Sequence, residues 1–461
     1  MENLLSKVKK IHLIGIGGIG MTGLALLLQD KGFLVQGSDI RKTVKTGILA
    51  KRGIKVYFGH KRTNIDPKVD LICYSSAVGL DNSELKEAKS KKIGVIKRGK
   101  LLAFLCKDTK TIAVAGSHGK TTIVSLLSYL FKKIGYTPTV FVGGLPVDGS
   151  LSASWGRDYS IIETDESDGT FLDYEPHLSI ITNIDKEHLN YYGDFTNLKK
   201  SFLNFAKKTK KKVFGFGGQK EIKEIIDKVR GVSFGMGSDC NLSAKNIRSD
   251  QRFSYFDLYK GDDLLLSVES PLLGRHNCYN VMAALAIFDY LGLNLEKIKD
   301  YLIDFKGTKR RFQIKTNICG VTFIDDYAHH PTEIKATLET ARAIPAKRIV
   351  AILQPHRPSR IKSLFKEFSL CLRQADLVVV TDTYQASEPY LEGVNSLKLV
   401  KAIKSQGHKN IIYINKNKLE LKVPEMIEKG DLVICLGAGD INKKLEKIIY
   451  EFKKIKTEKK Y

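Results

Sequence analysis

The chain has 461 residues, 43% of them hydrophobic, which is too long for one ordinary core and predicts about three domains. Seventy-five Lys and Arg against 50 Asp and Glu give a formal charge of +25, yet the lysines scatter over helix faces (KVKK, KEAKSKK, FKKIKTEKK) with no basic block beside aromatic base-stackers, which argues against nucleic-acid binding as the main function. The seven cysteines stand singly with no CxxC pair, which argues against a zinc module and predicts reduced thiols in a cytoplasmic protein.

Residues 11–28, IHLIGIGGIGMTGLALLL, carry no formal charge and are long enough for a hydropathy window to mark a signal or membrane anchor. Gly15, Gly17, Gly18, Gly20 and Gly23 make a poor spanning helix. A strand, a glycine turn and a helix account for the same letters, and no membrane insertion is expected. Gly15, Gly17 and Gly20 have the GxGxxG spacing that lets backbone approach a pyrophosphate at a helix amino terminus. Asp39 lies where a ribose-binding acid would stand, so an NAD-dependent dehydrogenase is one reading of this block. The runs FLVQGSD, KVYFG and LICYSSA continue a βαβ rhythm, the last ending at Ser75 and Ser76.

A second block starts at Lys110. Its strand TIAVAG enters AGSHGKTT, residues 115–122, and an amphipathic helix follows. In such a loop Gly116, Ser117, His118 and Gly119 let N–H groups converge on phosphate oxygens, Lys120 reaches the outer phosphates and the Thr121 hydroxyl ligates Mg²⁺, with Thr122 behind it. Gly116 stands three residues before Gly119, whereas the full GxxxxGK spacing requires glycine at Val114. A dehydrogenase gives this loop no role. ETDESDGTF then places Glu163, Asp165, Glu166 and Asp168 at a strand end, and TNIDKEHL places His188 after another. Either feature alone fits a solvated loop or a structural histidine; beside a phosphate loop the carboxylates could supply hard ligands for Mg²⁺. HNCYN puts Asn277 and Asn280 on one helix face, where two amides can read a base or a phosphate.

The third block opens after GTKRRFQ, with Arg310 and Arg311 placed to clamp a transferring phosphoryl group. Its strands are VTFIDDY, RIVAILQ, DLVVVTD, NIIYIN and LVICLGAGD. DDYAHHP and QPHRPSR sit at strand ends, where histidines and arginines can neutralise carboxylates. A helix cap or a surface ion pair explains the asparagine, arginine and histidine groups equally well.

The ordered set GIGGIGM, SSA, GSHGKTT, ETDESDGTFL, TNIDKEHL, RHNCYN, RRFQ, DDYAHHPTE, QPHRPSR and GAGD resembles the Mur ligases, most closely their alanine-adding branch. The resemblance implies an α/β protein of three domains: a Rossmann-like domain binding the UDP-sugar (1–107), a P-loop-type central ATPase domain (108–308) and a Rossmann-like domain binding the amino acid (309–461). It implies ATP-dependent ligation of L-alanine to UDP-N-acetylmuramate in peptidoglycan precursor synthesis, with Mg²⁺ as cofactor and a monomer or weak homodimer as the working form. By the same resemblance Lys120 contacts the γ-phosphate, Thr121 and Glu163 hold one Mg²⁺, and Glu163 with His188 serves a second. His276, Asn277, Asn280, Arg311, Asp326, Tyr327, His329 and His330 face the nucleotide, and His356, Arg357 and Arg360 approach the two carboxylates. Gly15, Gly17, Gly18 and Gly20 cradle the UDP diphosphate, with Asp39, Ser75 and Ser76 at its rim. The departures are Ala328, where the family pattern expects glycine, and Lys199 and Lys200, to which no carbamylation is assigned. The rivals are a ligase of the same family that recycles a whole tripeptide and a DNA-associated ATPase favoured by net charge alone.

Overall fold

The computed structural model describes residues 7–147, 149, 152–386 and 388–458. Met1 and Tyr461, the outer limits expected for the first and third blocks, lie outside the described residues. The chain is α/β throughout and builds three sheets. The first holds β1 (Lys10–Ile14), β2 (Leu34–Asp39), β3 (Lys55–Phe58), β4 (Leu71–Tyr74) and β5 (Gly94–Lys97) in the order β3-β2-β1-β4-β5, all parallel. Strand order reverses between β1 and β4, which opens a crevice at the carboxyl ends of those two strands.

The second sheet holds β6 (Lys110–Ala115), β7 (Thr139–Phe141), β8 (Ala153–Ser154), β9 (Tyr159–Glu163), β10 (Leu178–Ile181), β11 (Lys212–Phe216), β12 (Val232–Gly235), β13 (Leu242–Ser249), β14 (Ser254–Lys260) and β15 (Asp263–Ser270). Its order is β15-β14-β13-β12-β11-β10-β6-β9-β7-β8, so β6 lies between β10 and β9, parallel to both. The third holds β16 (Gln313–Ile318), β17 (Val321–Asp326), β18 (Arg348–Leu353), β19 (Leu377–Val380), β20 (Ile411–Tyr413) and β21 (Asp431–Leu436) in the order β16-β17-β21-β18-β19-β20, parallel except for β16.

Central strands are apolar along their whole length because both faces are covered: Ile112, Ala113, Val114 and Ala115 of β6 are buried, as is every residue of β21. The edge strands β5 and β16 are mostly exposed, and their alternation is too weak to announce a strand. Gly119, at φ +84°, starts the helix Lys120–Lys133, which buries Ile123, Val124, Leu126, Leu127, Leu130 and Phe131. Lys132 and Lys133 close it at the negative end of its dipole.

By contact density one compact unit runs to Lys245 and adds Asp257–Val268 and Tyr279–Lys306; the other comprises Asn246–Phe256, Glu269–Cys278 and the chain from Gly307. Six of the seven cysteines are buried and Cys319 is exposed; all seven are free thiols. Among the described residues no helix is long and apolar enough to cross a membrane.

Candidate functional site

In the first unit, the parallel register sets Val114 beside Glu163 and Ala115 beside Ile181, so the loops leaving β6, β9 and β10 emerge together. The phosphate loop is braced by the segment after β10. Ser117 donates its N–H to the Asn183 carbonyl (2.9 Å), His118 donates its N–H to the Asn183 side chain (2.8 Å), and the Thr182 hydroxyl donates to the His118 carbonyl (2.6 Å). The His118 imidazole meets Asp185 at 2.7 Å. Gly116 has φ +132° and a Cβ there would strike the Thr182 side chain, while a Cβ on Gly119 would lie 2.6 Å from Asn280 Oδ1. Both positions require glycine, and both keep the backbone open to a close-lying ligand.

The acidic turn after β9 completes this site. The Thr121 hydroxyl donates to both Glu163 oxygens at 3.0 and 3.1 Å, and the Gly143 N–H donates to Glu163 Oε2 at 2.7 Å. Lys120 Nζ binds both oxygens of Glu166, at 2.8 and 2.9 Å, and the carbonyls of Gly116 and Ser117. Burial pushes the Glu166 carboxyl up to about 7 against the pull of Lys120. Burial also works against the Lys120 charge, but Glu166 and Glu163 outweigh it, and the lysine pKa is raised. His188, at φ +57°, points Nε2 to within 3.9 Å of Glu166, and Glu166, Glu187 and His188 offer three ligand atoms within 4.8 Å of one another.

The glycine turn lies at the β1/β4 crevice of the same unit. The Ser38 carbonyl accepts from the N–H groups of Gly15 (2.8 Å) and Ile16 (3.0 Å), and Asp39 accepts from the Gly17 N–H (2.9 Å). Gly18 begins the helix Ile19–Asp30 and no side chain caps it. A Cβ on Gly15 would sit 3.3 Å from Ser75 Cβ, which leaves Ser75 and Ser76 beside the turn at the end of β4. Beneath it lies a buried polar network that local sequence does not reveal. Glu84 accepts from the Ser38 hydroxyl (2.5 Å) and the Asn64 amide (2.6 Å), with His12 at 3.5 Å and His60 at 3.3 Å. Burial raises the Glu84 pKa, but those donors outweigh it and hold the carboxyl low.

The second unit gathers the remaining candidates. His330 caps the helix Pro331–Arg342, and Glu333 of that helix accepts from the His329 N–H at 3.1 Å and from Arg311 at 3.3 Å. Asp326 is buried and accepts from the N–H groups of Phe312 and Ala328, so alanine at 328 is accommodated in the core; burial raises the Asp326 carboxyl to about 6. Arg310 reaches Asp325 (3.4 Å) and the carbonyls of Gly437 and Gly439, which ties the GAGD turn down. Asn277 donates to the Leu273 carbonyl at 2.8 Å, a bond at the start of its own helix. The His356 ring stacks on Tyr384 (5.5 Å, 7°) and meets His329 edge-on at 5.3 Å; His329 in turn meets Tyr327 at 5.2 Å. Arg360 lies 3.2 Å from His356 Nδ1, and Arg357 adopts φ +66°, its N–H bonded to the Tyr384 carbonyl. Burial, then His329 and the nearby arginines, drive the His356 pKa down to about 3, and burial brings His276 down to about 4.

The chain is similar to known proteins along nearly its whole length. Residues 10–110 match the model described as Mur ligase family, catalytic domain; residues 114–288 match the Mur ligase middle domain; and residues 310–439 match the Mur ligase, glutamate ligase domain. The UDP-N-acetylmuramate–L-alanine ligase of Desulforamulus reducens is 40% identical over 446 residues, covering 95% of this chain and 96% of that protein. The chain belongs to the Mur ligase family. The protein of the same name from Carboxydothermus hydrogenoformans is 38% identical to this Mur ligase over 96% of both chains. The crystal structure of the UDP-N-acetylmuramate–alanine ligase of Thermotoga maritima superposes with a TM-score of 0.83 at 29% identity, covering 96% of this Mur ligase and 99% of that chain.

The donor chemistry fits the magnesium that the family resemblance implies: a hydroxyl from Thr121 and a carboxylate from Glu163 present hard oxygens beside the phosphate loop. Sequence reasoning placed Glu166 in an acidic cluster without a partner and passed over Arg98, Asn183, Asp185, Glu84 and Tyr384. The partners of these side chains lie tens of residues away along this Mur ligase, so no local pattern reports them.

Proposed function

We propose that this Mur ligase uses ATP to join L-alanine to the lactyl carboxylate of UDP-N-acetylmuramate, releasing ADP and phosphate, as a step in peptidoglycan precursor synthesis. The observation that carries the reading is the match at 40% identity, along nearly the whole chain, to a protein of that name. Residues 1–107 bind the UDP-sugar, 108–308 bind ATP and 309–461 bind the amino acid. The protein works in the cytoplasm as a monomer or weak homodimer, without nucleic acid.

A carboxylate is a poor acylating agent, so it first attacks the γ-phosphate and gives an acyl phosphate. That step brings anions together. Lys120 leaves Glu166 for the γ-phosphate and offsets their repulsion, while the N–H groups of Gly119 to Thr122, at the amino end of the helix Lys120–Lys133, hold the remaining oxygens. One magnesium would be held by Thr121 and Glu163 and a second served by Glu163 with His188, and when bound they would supply further charge neutralisation. His276, Asn277, Asn280, Arg311, Asp326, Tyr327, His329 and His330 orient the nucleotide. His356, Arg357 and Arg360 hold the carboxylates, so that the alanine amine attacks the acyl carbon and phosphate leaves. The neutral imidazole of His356 beside two guanidinium groups suits an anionic substrate.

The deciding experiment is phosphate release with UDP-N-acetylmuramate, ATP and magnesium. Release that depends on L-alanine and is absent with L-Ala-γ-D-Glu-meso-diaminopimelate supports the reading. The reverse pattern assigns the protein to tripeptide recycling.

A further inference from the structure

We propose that Arg98 is a substrate-contacting residue that links the diphosphate end of the nucleotide-sugar site to the acidic turn of the ATP site. The inference rests on the reading of the glycine turn as a UDP-sugar site. Arg98 opens the helix Arg98–Leu105 directly after β5, next to β4 in the first sheet. A Cβ on Gly20 would collide with its guanidinium, so the side chain lies against the first turn of the helix Ile19–Asp30. Arg98 also donates to Asp165 Oδ2 at 2.7 Å, with 17% of the Arg98 side chain exposed.

The amino end of a helix carries partial positive charge, so a guanidinium there is disfavoured unless an anion joins it. Asp165 supplies one carboxylate, from 67 residues further along the chain. A diphosphate on the uncapped turn supplies the larger share, and a planar guanidinium offers it two parallel donors. The turn already binds anionic oxygen: the Gly17 N–H donates to the Asp39 carboxylate.

The other end of the link is equally specific. Asp165 Oδ1 accepts from the Ser167 N–H (3.0 Å) and the Asp165 carbonyl accepts from the Phe171 N–H (3.1 Å), so Asp165 shapes the turn that presents its neighbour Glu166 to Lys120. Gly99 packs against the Thr170 side chain, with no room for a Cβ, which seats the Arg98 helix on the same turn. When Arg98 moves onto a diphosphate, its pull on Asp165 changes. The Lys120 and Glu166 pair is the element so biased.

Calorimetric titration of UDP-N-acetylmuramate into the full-length protein, with and without a non-hydrolysable ATP analogue and magnesium, tests this for the wild type, Arg98→Gln, Arg98→Lys and Asp165→Asn. In the wild type the analogue tightens UDP-sugar binding several-fold. Arg98→Gln weakens that binding about tenfold or more and loses the tightening, as expected when a charge-assisted phosphate contact is removed. Arg98→Lys recovers part of the affinity without the tightening, and Asp165→Asn loses the tightening with a smaller change in affinity. Wild-type affinity and tightening in a folded Arg98→Gln overturn the inference, and if that variant does not fold, the same result in Arg98→Lys overturns it. No tightening in the wild type overturns the link. A wild type that does not bind UDP-N-acetylmuramate overturns the functional reading itself, a failure distinguishable from that of Arg98 alone.

Discussion

Lys120 Nζ is bound by both carboxylate oxygens of Glu166, at 2.8 and 2.9 Å, in a site where Glu166 is 4% exposed. The phosphate-loop lysine therefore has a resident carboxylate partner, supplied by the acidic turn after β9. Lys120→Ala is expected to lower L-alanine-dependent phosphate release by about two orders of magnitude or more. It also strands a buried carboxylate, at a cost of about 3 kcal/mol at neutral pH. Because the folded Glu166 pKa is raised from 4.5 to about 7, the folded chain keeps a proton that the unfolded chain releases. Its contribution is thus fully present below pH 4.5 and lost as pH rises through 7. Urea unfolding of Lys120→Ala should show greater stability at the acid end of that window, and a flat profile would count against the assignment.

Gly119→Ala tests the open backbone of the loop. At φ +84°, with Asn280 Oδ1 2.6 Å from the added methyl, the substitution should cost about 1–2 kcal/mol and weaken ATP binding more than UDP-sugar binding. Separate titrations with the two ligands measure this, and equal weakening of both would point to a general loss of fold.

Glu84 should support the glycine turn from below. Ser38 donates its hydroxyl to Glu84 and its carbonyl accepts from Gly15 and Ile16, so Glu84→Ala takes the carboxylate acceptor from Ser38 and Asn64 and the anion from beside His12. A loss of about 3 kcal/mol in stability is expected. UDP-sugar affinity should fall while ATP affinity holds, which paired titrations would read.

His276 and His356 predict acid sensitivity in the second unit. Their folded pKa values, about 4 and about 3, lie below the ordinary 6.5, so below pH 6.5 the unfolded chain takes up protons that the folded chain refuses. Stability is present above 6.5 and is lost towards those lower values, by about 1 kcal/mol per pH unit for each histidine. Denaturation at pH 7 and pH 5 should show the loss, and His276→Asn should show less of it. A pH slope unchanged by that substitution would remove His276 from the account.

Much of the architecture was legible because it is written in short-range terms. Apolar runs of four to six residues that end in glycine or a polar residue announce β1, β6, β9, β10, β17, β18 and β21, and the helix after GKTT shows its buried stripe at helical spacing. The edge strands β5 and β16 escaped because one-sided, weakly alternating segments look like loop. Asn277 and His330 illustrate a different limit. Each now makes a bond at the start of a helix, the alternative that the residues alone left open beside a ligand contact.

The sequence by itself determined that this chain carries a glycine turn, a phosphate loop and an acidic turn, each at the end of a strand, because φ preferences and hydrophobic period act over a few residues. Only the tertiary structure decided which carboxylate meets which cation. Glu163 goes to Thr121 and Glu166 to Lys120 because β6 pairs with β9 in one register, and Arg98 reaches Asp165 because the helix after β5 packs on the acidic turn. Such pairings depend on sheet register and on burial that strengthens a charge contact. Both are properties of segments brought together from distant parts of the chain.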